Sequence, residues 1–363
     1  MYFKGVYLKN FRNFSSLDLE FGPGINLLIG NNAQGKSNIL EALYFPATLR
    51  PTRVSKEGEL IERGERLAKI KAEGVSVRED TLWEVIFSLE ERKKVKINNE
   101  EVGRLSLALG RFNVVMFSSP DREIIGGEPV RRRQFLDLEI PQTASTYYFY
   151  LRRYYKALGQ RNYLLRERKN SLFPWDESIA ENGWQVLKMR KEFVGRISPL
   201  TSSFYQAISG GERLDLTYLP SPPLPEGKGG KDYFLERLKE SKRREQELGI
   251  TQIGPQRDDL SFSVKGVDLK TYGSQGEKVS AALSLKLSQM ELIKEEKGEY
   301  PVLLLDEVFS ELDTQRQRFL SCLILEKDNL QVFITGNRLS SFEPDILKQA
   351  QVFRVEGGKA VKM

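Results

Sequence analysis

Eight residues constrain this chain more than any others: Gly30-Asn31-Asn32-Ala33-Gln34-Gly35-Lys36-Ser37. They fit the spacing G-x-x-x-x-G-K-[ST]. In such a loop the amides turn inward around phosphate oxygens, the lysine reaches the β- and γ-phosphates, and the final hydroxyl serves magnesium. The loop sits between an apolar run, Ile25-Asn26-Leu27-Leu28-Ile29, and a helix-forming run from about Ser37 to Leu43. The amino end of a helix favours anions as well. A buried strand, a glycine-rich loop and a helix in that order need an α/β core. The loop residues Gly30 to Ser37 are therefore the expected phosphate cradle.

A second motif complements it. The run Pro301-Val302-Leu303-Leu304-Leu305 reads as a buried strand and ends in Asp306-Glu307. In a nucleotide site Asp306 joins Ser37 in holding magnesium, and Glu307 polarises the attacking water. Histidine is absent from the 363 residues. That excludes histidine-ligated zinc, Ser-His-Asp hydrolysis and a histidine general base. Carboxylates, Lys36, hydroxyls and a bound metal are left to carry the chemistry.

Hydrophobic residues make up 40% and charged residues 29% of the chain, enough apolar matter for a packed core. No run of about 18 apolar residues suggests a membrane span. The opening Met1-Tyr2-Phe3-Lys4 leads directly into a strand pattern, so no secretory leader is expected. The single Cys322 fits a reducing, cytoplasmic setting.

Residues 1–29 read as strands, and residues 67–102 as antiparallel strands with a turn near Asn98-Asn99. Between 128 and 210 the pattern becomes helical: Tyr147, Leu151, Tyr154, Leu158 and Leu165 share one spacing, and Ile179, Val186, Phe193, Ile197, Leu200 and Phe204 another. Two or more packed helices are expected there. A proline- and glycine-rich loop from Leu219 to Gly230 and a charged helix from Asp232 to about Leu248 follow. A hairpin around Gly266, a long helix from about Glu277 to Glu296 and the strand Val332-Phe333-Ile334 complete the reading. The expected domains are a head at 1–127 and 249–363, with a helical arm inserted at 128–248.

Further residues make a family resemblance specific. Ser310-Glu311-Leu312-Asp313, after the paired acids, resembles the D-loop of ABC-type ATPases, and Tyr272-Gly273-Ser274-Gln275-Gly276-Glu277 resembles their signature loop. The segments Leu8 to Phe14, Asn38-Ile39-Leu40-Glu41-Ala42, Pro129 to Asp137 and Gly254-Pro255-Gln256-Arg257-Asp258-Asp259-Leu260 are similar to stretches of the RecF family. The likeness runs through essentially the whole chain. It implies an ABC-type head, made of an antiparallel β lobe and an α/β lobe, with a helical arm. It implies ATP and Mg2+ bound between two copies of the chain. One copy gives Lys36, Ser37, Asp306 and the water-activating Glu307; the other gives Ser274 and the Gly276 amide. Asp313 and Thr335 are expected near the nucleotide, Thr335 standing where transporters of this class carry a switch histidine. Arg12 resembles a nucleotide-contacting arginine, and equally suits a surface arginine on an edge strand.

There are departures. Glu277 stands where the signature normally has glutamine, Leu49-Arg50-Pro51-Thr52-Arg53 is a loose version of its counterpart, and no Q-loop glutamine is evident, with Met116 to Asp121 in its place. The resemblance further implies DNA repair at gaps: placing RecA, together with RecR and RecO.

Charge agrees with a polyanion partner. The net charge is +6, and residues 131–200 hold fourteen Lys/Arg against seven Asp/Glu, leaving the remainder near neutral. The DNA candidates are Arg131, Arg132, Arg133, Arg152, Arg153, Arg161, Arg166, Arg168 and Lys169, with Lys242, Arg243 and Arg244. Arg131 to Arg133 alternatively serve an interface. Tyr147, Tyr148, Tyr154, Tyr155 and Tyr163 are interleaved, at a spacing that suits base stacking or a helical core. Nothing resembles a groove-reading motif, so sequence-independent binding to duplexes and single-strand/duplex junctions is expected. The rival readings are an SMC-like ATPase, for which the chain has no room for long coiled coils, a transporter's nucleotide subunit, for which the switch histidine is absent, and a DNA- or protein-binding scaffold with a degenerate ATP site.

Overall fold

A computed structural model describes residues 1–51, 56–169, 172–225 and 229–363. Thr52 and Arg53, and residues 226–228 of the proline-rich loop, lie outside the described residues. The chain forms two compact units: residues 1–121 with 282–363, and residues 122–281.

The first unit holds two six-stranded sheets. One is antiparallel, in the order Phe14–Glu20, Tyr2–Phe11, Leu67–Val75, Asp80–Ser88, Lys94–Ile97, Glu100–Glu101. Its strands alternate buried and exposed residues, as a sheet packed on one face should. Asn98 and Asn99, with φ of 50° and 70°, make the last hairpin turn, in the left-handed region asparagine tolerates well. The other sheet runs Lys359–Lys362, Ala350–Glu356, Ile25–Ile29, Val332–Gly336, Val302–Asp306, Val114–Ser118, parallel except for its first strand. Every residue of Ile25–Ile29 and Val302–Asp306 is buried, as continuous apolar runs in a parallel sheet must be.

The helix after the phosphate loop spans Lys36–Thr48, longer than the expected run to Leu43, and continues through Pro46 before Leu49 ends it with φ 54°. No described helix is long and apolar enough to cross a membrane.

The second unit is built on the helices Pro129–Thr143, Thr146–Arg166, Phe173–Ser209 and Lys231–Leu248. The two helical series of the sequence fall on Thr146–Arg166 and on the single 37-residue Phe173–Ser209. Tyr154, Leu158, Ile179, Leu187, Phe234 and Leu238 form its core. A three-stranded antiparallel sheet joins them, with Asp259–Val264 between Val267–Asp268 and Leu214–Leu219. Pairing of Leu214–Leu219 with Asp259–Val264 ties residues beyond 249 into this unit, and the compact division falls at 121/122 and 281/282. The upper boundary lies inside the helix Gln275–Lys297.

Candidate nucleotide site

In the first unit, Ile25–Ile29, Val332–Gly336, Val302–Asp306 and Val114–Ser118 lie side by side and parallel, so their carboxyl ends share one edge of the sheet. Crevices at such edges are where open α/β sheets bind ligands. The loop Gly30 to Ser37 leaves the first of these ends. Gly30 cannot carry a side chain, because a Cβ there would lie 2.1 Å from the Val355 carbonyl oxygen. Gly35 has φ +109°, and its Cβ would strike the Asn13 amide and the Phe14 ring. Asn31, Asn32 and Ala33 are exposed at the loop crest. Gln34 accepts a bond on its carbonyl from Asn13 Nδ2 (3.0 Å) and on Oε1 from the Gly357 amide (2.8 Å).

Lys36 begins the helix with its side chain 3% exposed. Its ammonium donates to the carbonyls of Gly30 (2.7 Å) and Asn31 (3.0 Å) and to Asn337 Oδ1 (3.0 Å), and stands 3.6 Å from Glu307 Oε1. The cation is thus folded back into its own loop, at the mouth of the cradle.

The neighbouring strand end brings in the acids. Ser37 Oγ donates to Asp306 Oδ1 at 2.8 Å, and Thr335 Oγ1 donates to the same oxygen at 2.9 Å. Thr335 Oγ1 in turn accepts the Glu307 amide at 2.7 Å. Glu307 adopts φ 57°, a left-handed conformation that costs an ordinary residue of order 1–3 kcal/mol and persists where its surroundings hold it. The bend leaves its side chain 38% exposed while Asp306 is buried. One hydroxyl and one carboxylate, 2.8 Å apart, are the hard oxygen donors that magnesium takes. Among the described residues no group of three acids or cysteines could hold a metal alone. Phosphate oxygens and water would have to complete the coordination, as in nucleotide sites.

The structure therefore brings together Gly30 to Ser37, Asp306, Glu307 and Thr335. Thr335, expected to face phosphate, is 1% exposed and links the two acids, its proton given to Asp306. Arg12 is half-buried and held in place: it binds the buried Glu41 at 2.8 and 3.0 Å and the Glu59 carbonyl at 3.1 Å. Asp313 caps the helix Thr314–Glu326 through the Arg316 amide (2.9 Å) and pairs with the Arg316 side chain. In the Q-loop position, Ser118 is the register partner of Asp306 and binds Asp121 through its amide (2.7 Å) and hydroxyl (3.0 Å). Asn13, Asn337 and Gly357 buttress the loop, and no sequence spacing pointed to them.

The signature loop lies in the second unit. Ser274 Oγ accepts the Glu277 amide at 3.2 Å, and Glu277 Oε2 accepts the Ser274 amide at 2.7 Å. This is a reciprocal capping box, which glutamate and glutamine both satisfy, so Glu277 keeps the local geometry its position requires. Gly276 occupies the first turn of the helix behind it.

Two arginines of the basic region, Arg132 and Arg161, are not available to DNA. Arg132 is buried, bonded to Asp259 (3.1 Å from Nη2) and to the Gly127 carbonyl (2.8 Å). Arg161 is buried between Asp176 (2.6 Å), Glu245 (2.7 Å) and Thr251 (2.9 Å). A guanidinium paired in the interior cannot reach an external phosphate. Arg131, Arg152, Arg153, Arg166, Arg168 and Lys169 are exposed, as are Lys242, Arg243 and Arg244, and Arg133 is half-buried. Tyr147 and Tyr154 are core; Tyr155 and Tyr163 are exposed.

Similarity to known proteins agrees with this geometry. The family described as RecF/RecN/SMC N terminal domain matches residues 2–360. The DNA replication and repair protein RecF of Halalkalibacterium halodurans is 39% identical over 372 residues, covering 100% of both chains. A solved structure of the recombination mediator protein RecF with ATP is 35% identical, with TM-score 0.90, covering 100% of this chain and 99% of that one. The Smc head from Pyrococcus furiosus, bound to the C-terminal domain of ScpA, is 18% identical with TM-score 0.56 and covers 100% of this chain and 96% of that one; it shares the fold.

Proposed function

Because the chain belongs to the RecF family, we propose that it binds and slowly hydrolyses ATP, dimerises on it and holds DNA at gaps in repair. The observation that carries this reading is the convergence of Lys36, Ser37, Asp306 and Glu307 at one sheet edge. A solved relative of the same family holds ATP. Residues 1–127 and 249–363 act as the ATPase head and 128–248 as the arm.

Lys36 exchanges its loop carbonyls for β- and γ-phosphate oxygens as the nucleotide enters. Ser37 and Asp306 would hold Mg2+, which would screen the phosphate charge. Glu307, held out by its bent backbone, accepts a hydrogen bond from the attacking water and orients it. Thr335 links the two acidic residues and holds them in place. Ser274 and the Gly276 amide of a second copy meet the γ-phosphate, helped by the helix amino end. Asp313 adds to that interface, and Arg12 acts by fixing Glu41 in the helix behind the loop. Loss of the γ-phosphate removes the link between copies, so turnover times the release of DNA. Exposed Arg131, Arg152, Arg153, Arg166, Arg168 and Lys169, with Arg133, neutralise DNA phosphates without reading sequence. The wider role is the placing of RecA with RecR and RecO, in the cytoplasm.

The test is molar mass by light scattering with ADP, with a slowly hydrolysed ATP analogue, and with the analogue plus duplex DNA at two salt concentrations. We expect a dimer only with the analogue, and DNA retained at low salt and lost at high salt. Lys36→Ala should not bind ATP and should remain a monomer. A nucleotide-independent monomer that ignores DNA would overturn the reading.

A further inference from the structure

The segment Gly254 to Leu260 takes no part in the nucleotide site, yet the second unit is organised around it. Gly254 has φ +124°, and a Cβ there would lie 2.0 Å from the Tyr154 hydroxyl oxygen. Pro255–Arg257 form a single tight turn. Arg190, wholly buried in the middle of Phe173–Ser209, donates to the Pro255 carbonyl (2.7 Å), Asp258 Oδ2 (2.6 Å), Asp137 Oδ1 (2.7 Å) and the Tyr147 hydroxyl (2.9 Å). Asp258 also accepts the Ser221 amide at 2.8 Å and the Tyr218 hydroxyl. Gln256 receives the Tyr154 hydroxyl and donates to the Ile253 carbonyl at 2.9 Å. Burying a guanidinium and two carboxylates costs several kcal/mol per ion before compensation. The bonds just named offset that cost, and what they fix is this turn.

One side chain of the turn takes no part in that network. Arg257 is exposed, and among the described residues no carboxylate pairs with it. Beside it, Arg133 donates to the Asp258 carbonyl at 2.9 Å and is half-buried. Tyr155, 40% exposed, belongs to the same neighbourhood: burial pushes its hydroxyl up, Asp137 pushes the same way, and Arg190 and Arg133 oppose. Tyr148, Arg152 and Tyr155 share one face of Thr146–Arg166, with the Arg152 guanidinium 5.8 Å from the Tyr148 ring centroid. That face extends over about 10 Å of helix, more than one phosphate group needs.

We propose that Arg257, Arg133 and Tyr155 form a fixed contact point for a nucleic-acid strand, with a backbone phosphate on Arg257 and a base against the Tyr155 ring. The inference rests on the DNA-binding reading above and assigns a role to a segment outside the nucleotide chemistry. An exposed arginine carried on a fixed turn, with Arg133 and an exposed tyrosine on the same unit, is complementary to a chain carrying both phosphates and flat bases. Neither group reads base edges, so the contact is independent of sequence.

The test uses the full chain, saturated with the ATP analogue, titrated into labelled oligothymidylate between about 50 and 200 mM salt. Arg257→Gln should weaken binding about tenfold at the lowest salt and lower the slope of log affinity against log salt by about 1. Arg257→Lys should recover most of that slope, because a phosphate accepts a point charge. Tyr155→Leu should weaken binding about fivefold or more without changing the slope, and Tyr155→Phe should not. ATP affinity should be unchanged in all four. Wild-type binding by both Arg257→Gln and Tyr155→Leu would overturn this inference and leave the DNA reading standing. So would a loss in Arg257→Gln with an unchanged salt slope and a lowered unfolding midpoint, which would mark a structural role. Failure of the unsubstituted chain to bind oligothymidylate or duplex would sink both.

Discussion

Asp258 is ionisable and almost fully enclosed, and its environment pulls two ways. Burial pushes its carboxyl up to about 6, against the Arg190 guanidinium and the Tyr218 and Ser221 hydrogen bonds. The folded value exceeds the ordinary 3.8, so between those values the folded chain keeps a proton that the unfolded chain has released. This group's contribution is full below about pH 4 and is lost as pH rises through about 6, by about 3 kcal/mol at most. Asp258→Asn, although less stable at every pH, should lack that slope. Urea midpoints at about pH 4 and about pH 7 for both proteins decide it; parallel shifts would show that Asp258 does not titrate in this window. At this scale the sequence was readable for the phosphate loop, whose spacing alone marks out Gly30 to Ser37 between a buried strand and a helix. It was opaque for the arginines. Arg132, Arg152 and Arg161 look alike in a basic run, but the partners that bury Arg132 and Arg161 include Asp259 and Glu245, far along the chain. Thr335 was noticed for its place after a strand, but its bonds to Asp306 and Glu307 depend on two strands becoming neighbours.

The helix Gln275–Lys297 shows what a single element adds. Ser274 and Glu277 close its amino end reciprocally, satisfying two amides that would otherwise lack partners. Glu277→Gln should leave the unfolding midpoint unchanged, since the amide oxygen accepts the same bond. Glu277→Ala and Ser274→Ala should each lose about 1 kcal/mol. Glu277→Gln should also dimerise at a lower concentration of the ATP analogue, because one negative charge leaves a helix end offered to a phosphate. Calorimetry and sizing of the three variants check both statements; weaker dimerisation of Glu277→Gln would place the helix end away from the phosphate. Elements with local signals were legible: Asn98-Asn99 and Gly266 mark hairpins, and apolar runs mark the buried strands. The strand Leu214–Leu219 was not, because its partner begins about forty residues later and its own six residues also suit a loop approach to a proline run.

For the whole molecule, chain order was the informative signal. The phosphate loop, signature, paired acids and D-loop follow one another as in the family, and that order fixes the fold class. The compact units divide at 121/122 and 281/282, because strand pairing draws residues beyond 249 into the second unit. The proposed cycle makes one demand at this scale. Glu307→Gln should bind the analogue and ATP alike, cut turnover by about a hundredfold or more, and stay dimeric with ATP itself. Sizing with ATP and a phosphate-release assay test it; a monomer with normal turnover would remove Glu307 from the mechanism.

The helix Gln275–Lys297 belongs to both units, with the division after Ala281. Neither unit can therefore be traded between relatives as a cassette cut at its own edge. A chimera joined there must splice mid-helix, where each new turn has to match side chains inherited from the other parent. Lineages should accordingly inherit the two units together, and grafts that succeed should be those whose junctions avoid residues 275–297.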